Sequence, residues 1–442
     1  MTSYMVADDI RSWGGTVKAQ HFVSRPSWRE QLPELLARKE GRSVLGIGLR
    51  RSYGDSGLNP DGSLIDMTAL DRVISFDPVT RLLRAEAGIA FDSILELFVQ
   101  RGYFLPVTPG TRFVTLGGAV ANDVHGKNHH SAGTIGRWVR RIGLIRSDGT
   151  EIELTPDDQT GLFAATIGGL GLTGLISWAE IELLPIDSAM MEAETIPFAN
   201  LDAFFAVAAE SDDAADYTVA WVDCLARGDR LGRGLFSRAR HAPLGARLTK
   251  RAKPKLSMPF AMPGFMLNAT SIGLFNGLYF YRGRRAAGPA ITPYQPYFYP
   301  LDAIGHWNRM YGSRGMYQYQ SVVPPATARD ATREMLETIS KAGEGSFLAV
   351  LKTFGGVPSP GLLSFPQAGT TLALDFPNKG QLTLDLLNRL DDIVREAGGR
   401  LYPAKDGRIS ASMFRAGYPA WETFANHVDP AFSSAFWRRV SQ

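Results

Sequence analysis

The richest chemistry in the chain lies between Pro109 and His130. Pro109-Gly110-Thr111 and Thr115-Leu116-Gly117-Gly118 make two small-residue turns. Asn122-Asp123-Val124-His125-Gly126-Lys127-Asn128-His129-His130 follows, crowded with hydrogen-bond donors. An earlier stretch has the same character: Gly46-Ile47-Gly48-Leu49-Arg50-Arg51-Ser52-Tyr53-Gly54-Asp55-Ser56. Small residues let backbone N–H groups turn toward an anion. A pyrophosphate has enough acceptor oxygens for all three segments, which would surround it without a helix dipole.

Two rival readings fail on context. Gly169-Leu170-Gly171-Leu172-Thr173-Gly174 matches GxGxxG literally, but the dinucleotide turn needs a helix at its end. Here Leu175–Leu183 alternates at period two and predicts a strand. His125 and His129, four apart, invite a metal. There is no HExxH, no nearby carboxylate beyond Asp123, and Gly126 disfavours a helix, so no metal site is assigned. A polar loop without function is the plain alternative.

These loops need strands to hold them. Val44–Ile47, Leu64–Met67, Val73–Phe76 and Leu82–Ala87 are short apolar or alternating runs bounded by turn residues. Phe91–Arg101 predicts a helix with Ile94, Leu95, Phe98 and Val99 on one face. Residues 317–403 then read strand, helix, strand, strand, helix, strand, the split-βαβ order, as a second domain with its own core. The chain after about 400 is too short to fold alone and is expected to return to the first domain. The boundaries expected are 1–187 with 400–442, and 188–399.

One stretch fits neither rhythm. Residues 238–255 hold seven Lys/Arg and no acid, and 257–281 hold no charge at all. Prolines and glycines interrupt the uncharged run, making it a poor spanning helix and favouring a mobile loop. It reads either as a buried segment beside a solvated basic loop or as a surface leaning into an anionic membrane.

Composition narrows the class. The chain has 442 residues, 45% hydrophobic and 21% charged, the profile of a folded globular protein. Lys+Arg 47 against Asp+Glu 44 is too balanced for a generic nucleic-acid binder, so no nucleic-acid partner is expected. The single Cys224 excludes an internal disulfide framework. No secretory signal is visible, so a cytoplasmic or peripheral inner-membrane location is expected, the face left open.

In order, these motifs resemble the FAD domain of the vanillyl-alcohol oxidase family, and within it the flavin oxidases acting on polyprenylphosphoryl ribose. The likeness continues through Trp221, Tyr297–Asp302, Trp307-Asn308-Arg309, Gln318-Tyr319-Gln320, Lys352, Leu374-Asp375-Phe376-Pro377 and Tyr402-Pro403-Ala404-Lys405-Asp406. It implies an α+β, two-domain FAD fold with a split-βαβ substrate or cap domain. It further implies that Gly46–Ser56, Gly110, Thr115–Gly118, Asn122–His125, Ile176 and Tyr402 contact FAD. Many related oxidases hold the flavin through a histidine in the first glycine loop. Tyr53 stands there instead, so dissociable FAD is expected. Mycobacterial members carry Cys where Ala373 stands, which bears on pocket shape rather than on activity.

The implied reaction oxidises the 2'-hydroxyl of a polyprenylphosphoryl ribose to a ketone, and a separate NAD(P)H-dependent reductase completes an epimerisation. Removing a proton from the unactivated carbon would leave a carbanion that nothing stabilises, whereas oxidation and re-reduction avoid it; no side chain accepts a hydride, hence a flavin. Lys405, Tyr53 and His125 are the catalytic candidates, and Lys352 and Lys405 supply charge. Gln318 and Gln320, two apart on a strand, point the same way toward sugar hydroxyls. Trp221, Phe354, Ala373 and Asp375 complete the expected substrate pocket. Two alternatives stand: a soluble aldonolactone or alditol oxidase, and a non-catalytic sugar- or nucleotide-binding protein.

Overall fold

The computed structural model describes residues 3–243, 256–258, 260–262 and 267–442. Most of the basic stretch and part of the uncharged one therefore lie outside the described residues.

The N-terminal half is built on two larger sheets, beside a two-stranded pair of Tyr103–Phe104 with Leu184–Pro185. In the first, β1 (Met5–Arg11), β2 (Lys18–Ser24), β3 (Val44–Ile47) and β4 (Ser63–Asp66) lie in the order β1-β2-β4-β3, with β2 and β3 parallel to β4. The second is antiparallel: β5 (Val73–Asp77), β6 (Leu82–Glu86), β7 (Val139–Ile145), β8 (Glu151–Leu154) and β9 (Leu175–Glu182), ordered β5-β6-β9-β7-β8. Strand β9 follows the GxGxxG look-alike directly, so that turn opens no helix. Helix α1 (Phe91–Phe98) buries Phe91, Ile94, Leu95 and Phe98. Helix α2 (Leu116–Ala121) forms where only turns were expected. Thr115 caps it, its hydroxyl accepting from Gly118 N at 3.2 Å.

The rest is one eight-stranded antiparallel sheet. Its first half runs β10 (Met190–Phe198), α3 (Leu201–Ser211), β11 (Tyr217–Val222), β12 (Gly234–His241), α4 (Ala269–Arg285) and β13 (Gly288–Pro293). Its second half runs β14 (Met316–Val323), α5 (Ala328–Ala342), β15 (Ala349–Phe354), β16 (Gly369–Pro377), α6 (Gln381–Glu396) and β17 (Arg400–Leu401). The sheet order is β13-β10-β12-β11-β15-β16-β14-β17, so each half has the split-βαβ strand order and β11 joins β15 edge to edge. The first half went unrecognised in the sequence because its second helix falls in the uncharged stretch.

The period of two divides the sheet's faces. Ala220, Val222, Phe236, Tyr319, Leu351, Leu372, Leu374 and Phe376 join the apolar residues of α3, α5 and α6 in one core. Their neighbours Trp221, Leu235, Ser237, Gln318, Gln320, Val350, Lys352, Ala373 and Asp375 line a cavity on the other face. Helix α4 crosses that second face, since Tyr279, Arg282 and Gly283 also line the cavity. Neither a mobile loop nor a buried segment describes these residues: Asn268 caps the helix through Thr270 N and Ser271 N, and only Ile272 and Asn276 are buried.

After β17 the chain returns to the first sheet. Val44 N donates to Ala431 O at 2.8 Å, and Arg439 pairs with Asp55 at 2.7 Å and Asp406 at 3.1 Å. Tyr53 N donates to Ala404 O at 2.9 Å. Gly54 makes this passage possible, because a Cβ there would sit 1.5 Å from Asp406 O. Gly54→Ala should therefore destabilise the protein by ~1–3 kcal/mol or more, read as a lowered urea midpoint. An unchanged midpoint would mean that the two segments separate freely.

Candidate functional site

Between the glycine loops and the bare face of the large sheet lies a cavity of about 1110 Å³. Small-molecule sites run to ~1,000 Å³, so it has room for a cofactor with a substrate head group.

One wall is backbone. Residues 46–53 leave β3 and pass α2, close enough that a Cβ on Gly48 would meet Thr115 Oγ1 at 2.1 Å. Arg50 has φ +51°, a left-handed turn that brings successive N–H groups to one side. Gly57 and Gly110 also line the cavity and have open space where a Cβ would stand. Ser56 Oγ and Asn122 Oδ1 are buried in this wall with no hydrogen-bond partner among the described residues. Unpaired buried acceptors and donors carry a desolvation cost that a polar ligand relieves. This wall fits the diphosphate and ribityl groups of FAD.

Most of the expected flavin contacts line it: Gly46, Ile47, Gly48, Leu49, Arg50, Arg51, Ser52, Tyr53, Ser56, Gly110, Thr115, Gly117, Gly118, Asn122, Val124, His125, Ile176 and Tyr402. Five expected site residues stand behind the wall. Gly54 is packed on Asp406, and Asp55 holds Arg439. Leu116 is fully buried in the core under α2. Asp123 accepts from Ser359, Ser364 and Gly136 N, while burial raises its pKa. Phe354 packs on His125 and His129, with centroids 4.9 and 4.4 Å away. None of the five lines the cavity, and their contacts hold the loops in position.

The facing wall is chemical. Register places Gln318 opposite Asp375 and Gln320 opposite Ala373. Gln318 Nε2 donates to Asp375 Oδ1 at 2.6 Å, and Gln320 Nε2 lies 3.1 Å from His125 Nε2. Lys405 Nζ sits over the Tyr53 ring, 4.1 Å from its centroid. Lys352 approaches Gly126 O at 3.5 Å, and Lys127 donates to Tyr297 O. Trp221 Nε1 donates to Phe347 O at 3.0 Å, its ring 4.7 Å from that of Tyr279.

Burial dominates every titration here. It pushes Lys405 down to about 8, opposed by Asp375, and Lys352 to about 8, aided by Lys405. Lys127 falls to about 7 through burial and then Lys352. Asp375 is pushed up to about 6 by burial, against the pull of Gln318 and Lys405. Burial and then Asp375 hold Tyr53 well above the ordinary phenol range; burial and then Lys352 hold His125 well below the imidazole range. Near neutrality Tyr53 keeps its proton and His125 is neutral. None of the three lysines forms an ion pair among the described residues.

Lys127, Trp13, Asp302, Tyr279 and Arg282 also line the cavity and were not anticipated as site residues. Lys127 carries a readable signal, two residues after His125 in the donor-rich loop. Trp13 arrives from a remote N-terminal strand end and carries none.

A nucleotide-sized glycine cradle facing a cation-lined antiparallel sheet fits the two-domain FAD fold of the vanillyl-alcohol oxidase type that the sequence motifs resemble. Residues 22–155 match the FAD binding domain family. The chain is 38% identical over 450 residues to decaprenylphosphoryl-beta-D-ribose oxidase of Mycolicibacterium smegmatis, covering 98% of this chain and 97% of that protein. An uncharacterized protein of Streptomyces coelicolor is 34% identical over 372 residues, 80% of this chain and 100% of its own length. L-gulono-1,4-lactone dehydrogenase of Mycobacterium tuberculosis is 28% identical over 178 residues, 40% of each chain. The chain belongs to this family of FAD-dependent oxidoreductases.

The lowered lysine pKa values have a thermodynamic consequence. The unfolded chain binds more protons than the folded one between about pH 8 and ~10.4, so stability rises with pH through that window. In Lys352→Met/Lys405→Met the slope of unfolding free energy against pH should flatten between pH ~7.5 and ~9.5. Parallel slopes for wild type and variant would show that the lysines are not buried as charges.

Proposed function

We propose that this protein oxidises the 2'-hydroxyl of a polyprenylphosphoryl-β-D-ribose to the 2'-keto form, with non-covalently bound FAD. The observation that carries this reading is the trio Lys127, Lys352 and Lys405, buried in the cavity beside a flavin-sized cradle with no ion pair among the described residues and one carboxylate, Asp375, acting on Lys405 alone. Buried cations persist when an anion accompanies them, and a phosphodiester linking sugar to lipid is such an anion. Near-full-length similarity to a decaprenylphosphoryl-ribose oxidase supports the same substrate class. Lactone-oxidising relatives match a far smaller share of the chain, which disfavours an aldonolactone substrate.

FAD, when bound, supplies the hydride acceptor. The chain's residues do the rest. Gln318 and Gln320 offer amides to the ribose hydroxyls. Lys352 and Lys127 attract the phosphate. As the hydroxyl carbon gives up its hydrogen with two electrons, the hydroxyl proton needs a base, and Lys405 suits that role best: with a pKa of about 8 it is partly neutral near pH 7. Tyr53 is poorly suited because its phenol holds its proton; it offers its ring to the Lys405 ammonium and an O–H to the sugar. His125, neutral and locked among Phe354, Phe365 and Tyr402, shapes the floor. The ketone would then pass to a separate NAD(P)H-dependent reductase for reduction from the other face.

Anaerobic mixing with a prenylphosphoryl ribose should bleach the flavin without added reductant; an unchanged spectrum rejects the substrate class. Lys405→Met should slow that bleaching by ~10²–10⁴-fold with FAD still bound. Reduction at nearly the wild-type rate would move the base elsewhere. Because Tyr53 replaces the linking histidine, acid precipitation should release yellow flavin into the supernatant. Colour retained in the pellet would establish a covalent bond.

A further inference from the structure

We propose that helix α4, Ala269–Arg285, is a bilayer-docking face onto which the active-site cavity opens, so that the sugar phosphate enters while its tail stays in the lipid. This inference rests on the lipid reading of the substrate.

The helix presents apolar residues to solvent. Leu274 is 75% exposed, Phe275 42%, Leu278 47%, Tyr279 45% and Tyr281 53%. Leu274, Leu278 and Tyr281 recur at i, i+4 and i+7, while Phe275 and Tyr279 stack beside them at 5.9 Å and 16°, so these side chains form one stripe. A contiguous apolar stripe in water marks an interaction surface.

Charge selects the occupant. From Leu267 to Pro293 the only charged residues are Arg282, Arg284 and Arg285, with no acid. They cluster at the helix end, and Arg285 lies 5.0 Å from the Tyr281 ring centroid. Leucine and phenylalanine along one face, tyrosine and arginine at its end, is the composition of a helix lying at an anionic headgroup boundary. A second copy docked through the same stripe in a two-fold contact would bring two sets of arginines together with no acid between them. No described helix is long and apolar enough to cross a membrane.

Continuity with the site completes the argument. Tyr279, Arg282 and Gly283 line the cavity from this helix, and the Tyr279 ring touches Trp221 on the sheet below. One molecule can therefore have an anionic head among the buried lysines while its apolar tail stays in the lipid.

The test is cosedimentation of the flavin-loaded protein with phosphatidylcholine vesicles, with and without phosphatidylglycerol. Wild type should bind the anionic vesicles better, and less in high salt. Leu274→Gln/Leu278→Gln should lose about tenfold or more in vesicle partition, because two leucines no longer leave water. That variant should keep its flavin and its turnover of a short-chain, water-soluble prenylphosphoryl ribose, and lose turnover of a long-chain substrate held in vesicles. Wild-type indifference to vesicles, or unchanged partition of the variant, overturns the proposal. So does a dimer in gel filtration that the variant splits, which would assign the stripe to a second copy. Helix-dependent vesicle binding without flavin bleaching by any prenylphosphoryl ribose would support docking and reject the substrate reading.

Discussion

The close passage of residues 402–407 against the first glycine loop is the contact on which the site depends. Two backbones meet there with no side chain between them. Tyr53 donates its N–H to Ala404, and Gly54 leaves no room for a Cβ beside Asp406. One short crossing thus fixes Tyr53 and Lys405 together in the cavity wall, with the ammonium over the ring at 4.1 Å. Arg439 clamps it from behind, bridging Asp55 and Asp406, one carboxylate from each segment. Asp55, which the resemblance assigns to FAD, here joins Asp406 in holding two parts of the chain together through Arg439.

From that crossing, the large sheet does the sorting. Period-two alternation sends Leu372, Leu374 and Phe376 into the helix-covered core and leaves Ala373 and Asp375 on the open face. The neighbouring strands do the same, so the substrate wall is a set of alternate residues from six strands. Such a wall is rigid, because each side chain stands on a strand whose other face is packed. Its dryness gives the lysines their lowered pKa values and makes Asp375 matter, as the one carboxylate that acts on Lys405 from the same wall.

Much of this was legible before any coordinates. The glycine loops, the strands that present them and the β-α-β-β-α-β order of 317–403 are local signals, carried by turn chemistry and periodicity. Gln318 and Gln320 were readable because a strand's period fixes which side chains share a face. What escaped was long-range or contextual. Nothing local reveals that the strands before residue 294 repeat the second half's order, since Gly273 and Gly277 mask a helix that Asn268 nonetheless nucleates. Nor does spacing separate Asp123, consumed by two serines, from Asp375, which faces the cavity. A carboxylate's role depends on partners more than two hundred residues away.

The charges of the cavity also bear on how a substrate is chosen. Three ammonium groups in one dry space repel one another, and each lowers the basicity of the next, as Lys405 does for Lys352 and Lys352 for Lys127. An arriving anion opposes that effect on the lysine it touches and raises that lysine's pKa. A phosphate held by Lys352 and Lys127 keeps those two charged while lying off Lys405, which stays free to give up its proton to solvent and accept one from the sugar. A neutral sugar offers no such division of labour, since it would leave each lysine with the lowered pKa that burial gives it. On the proposed substrate, an anion at the far end of the sugar would set the proton-accepting state at the near end, and selection by charge would come before selection by shape.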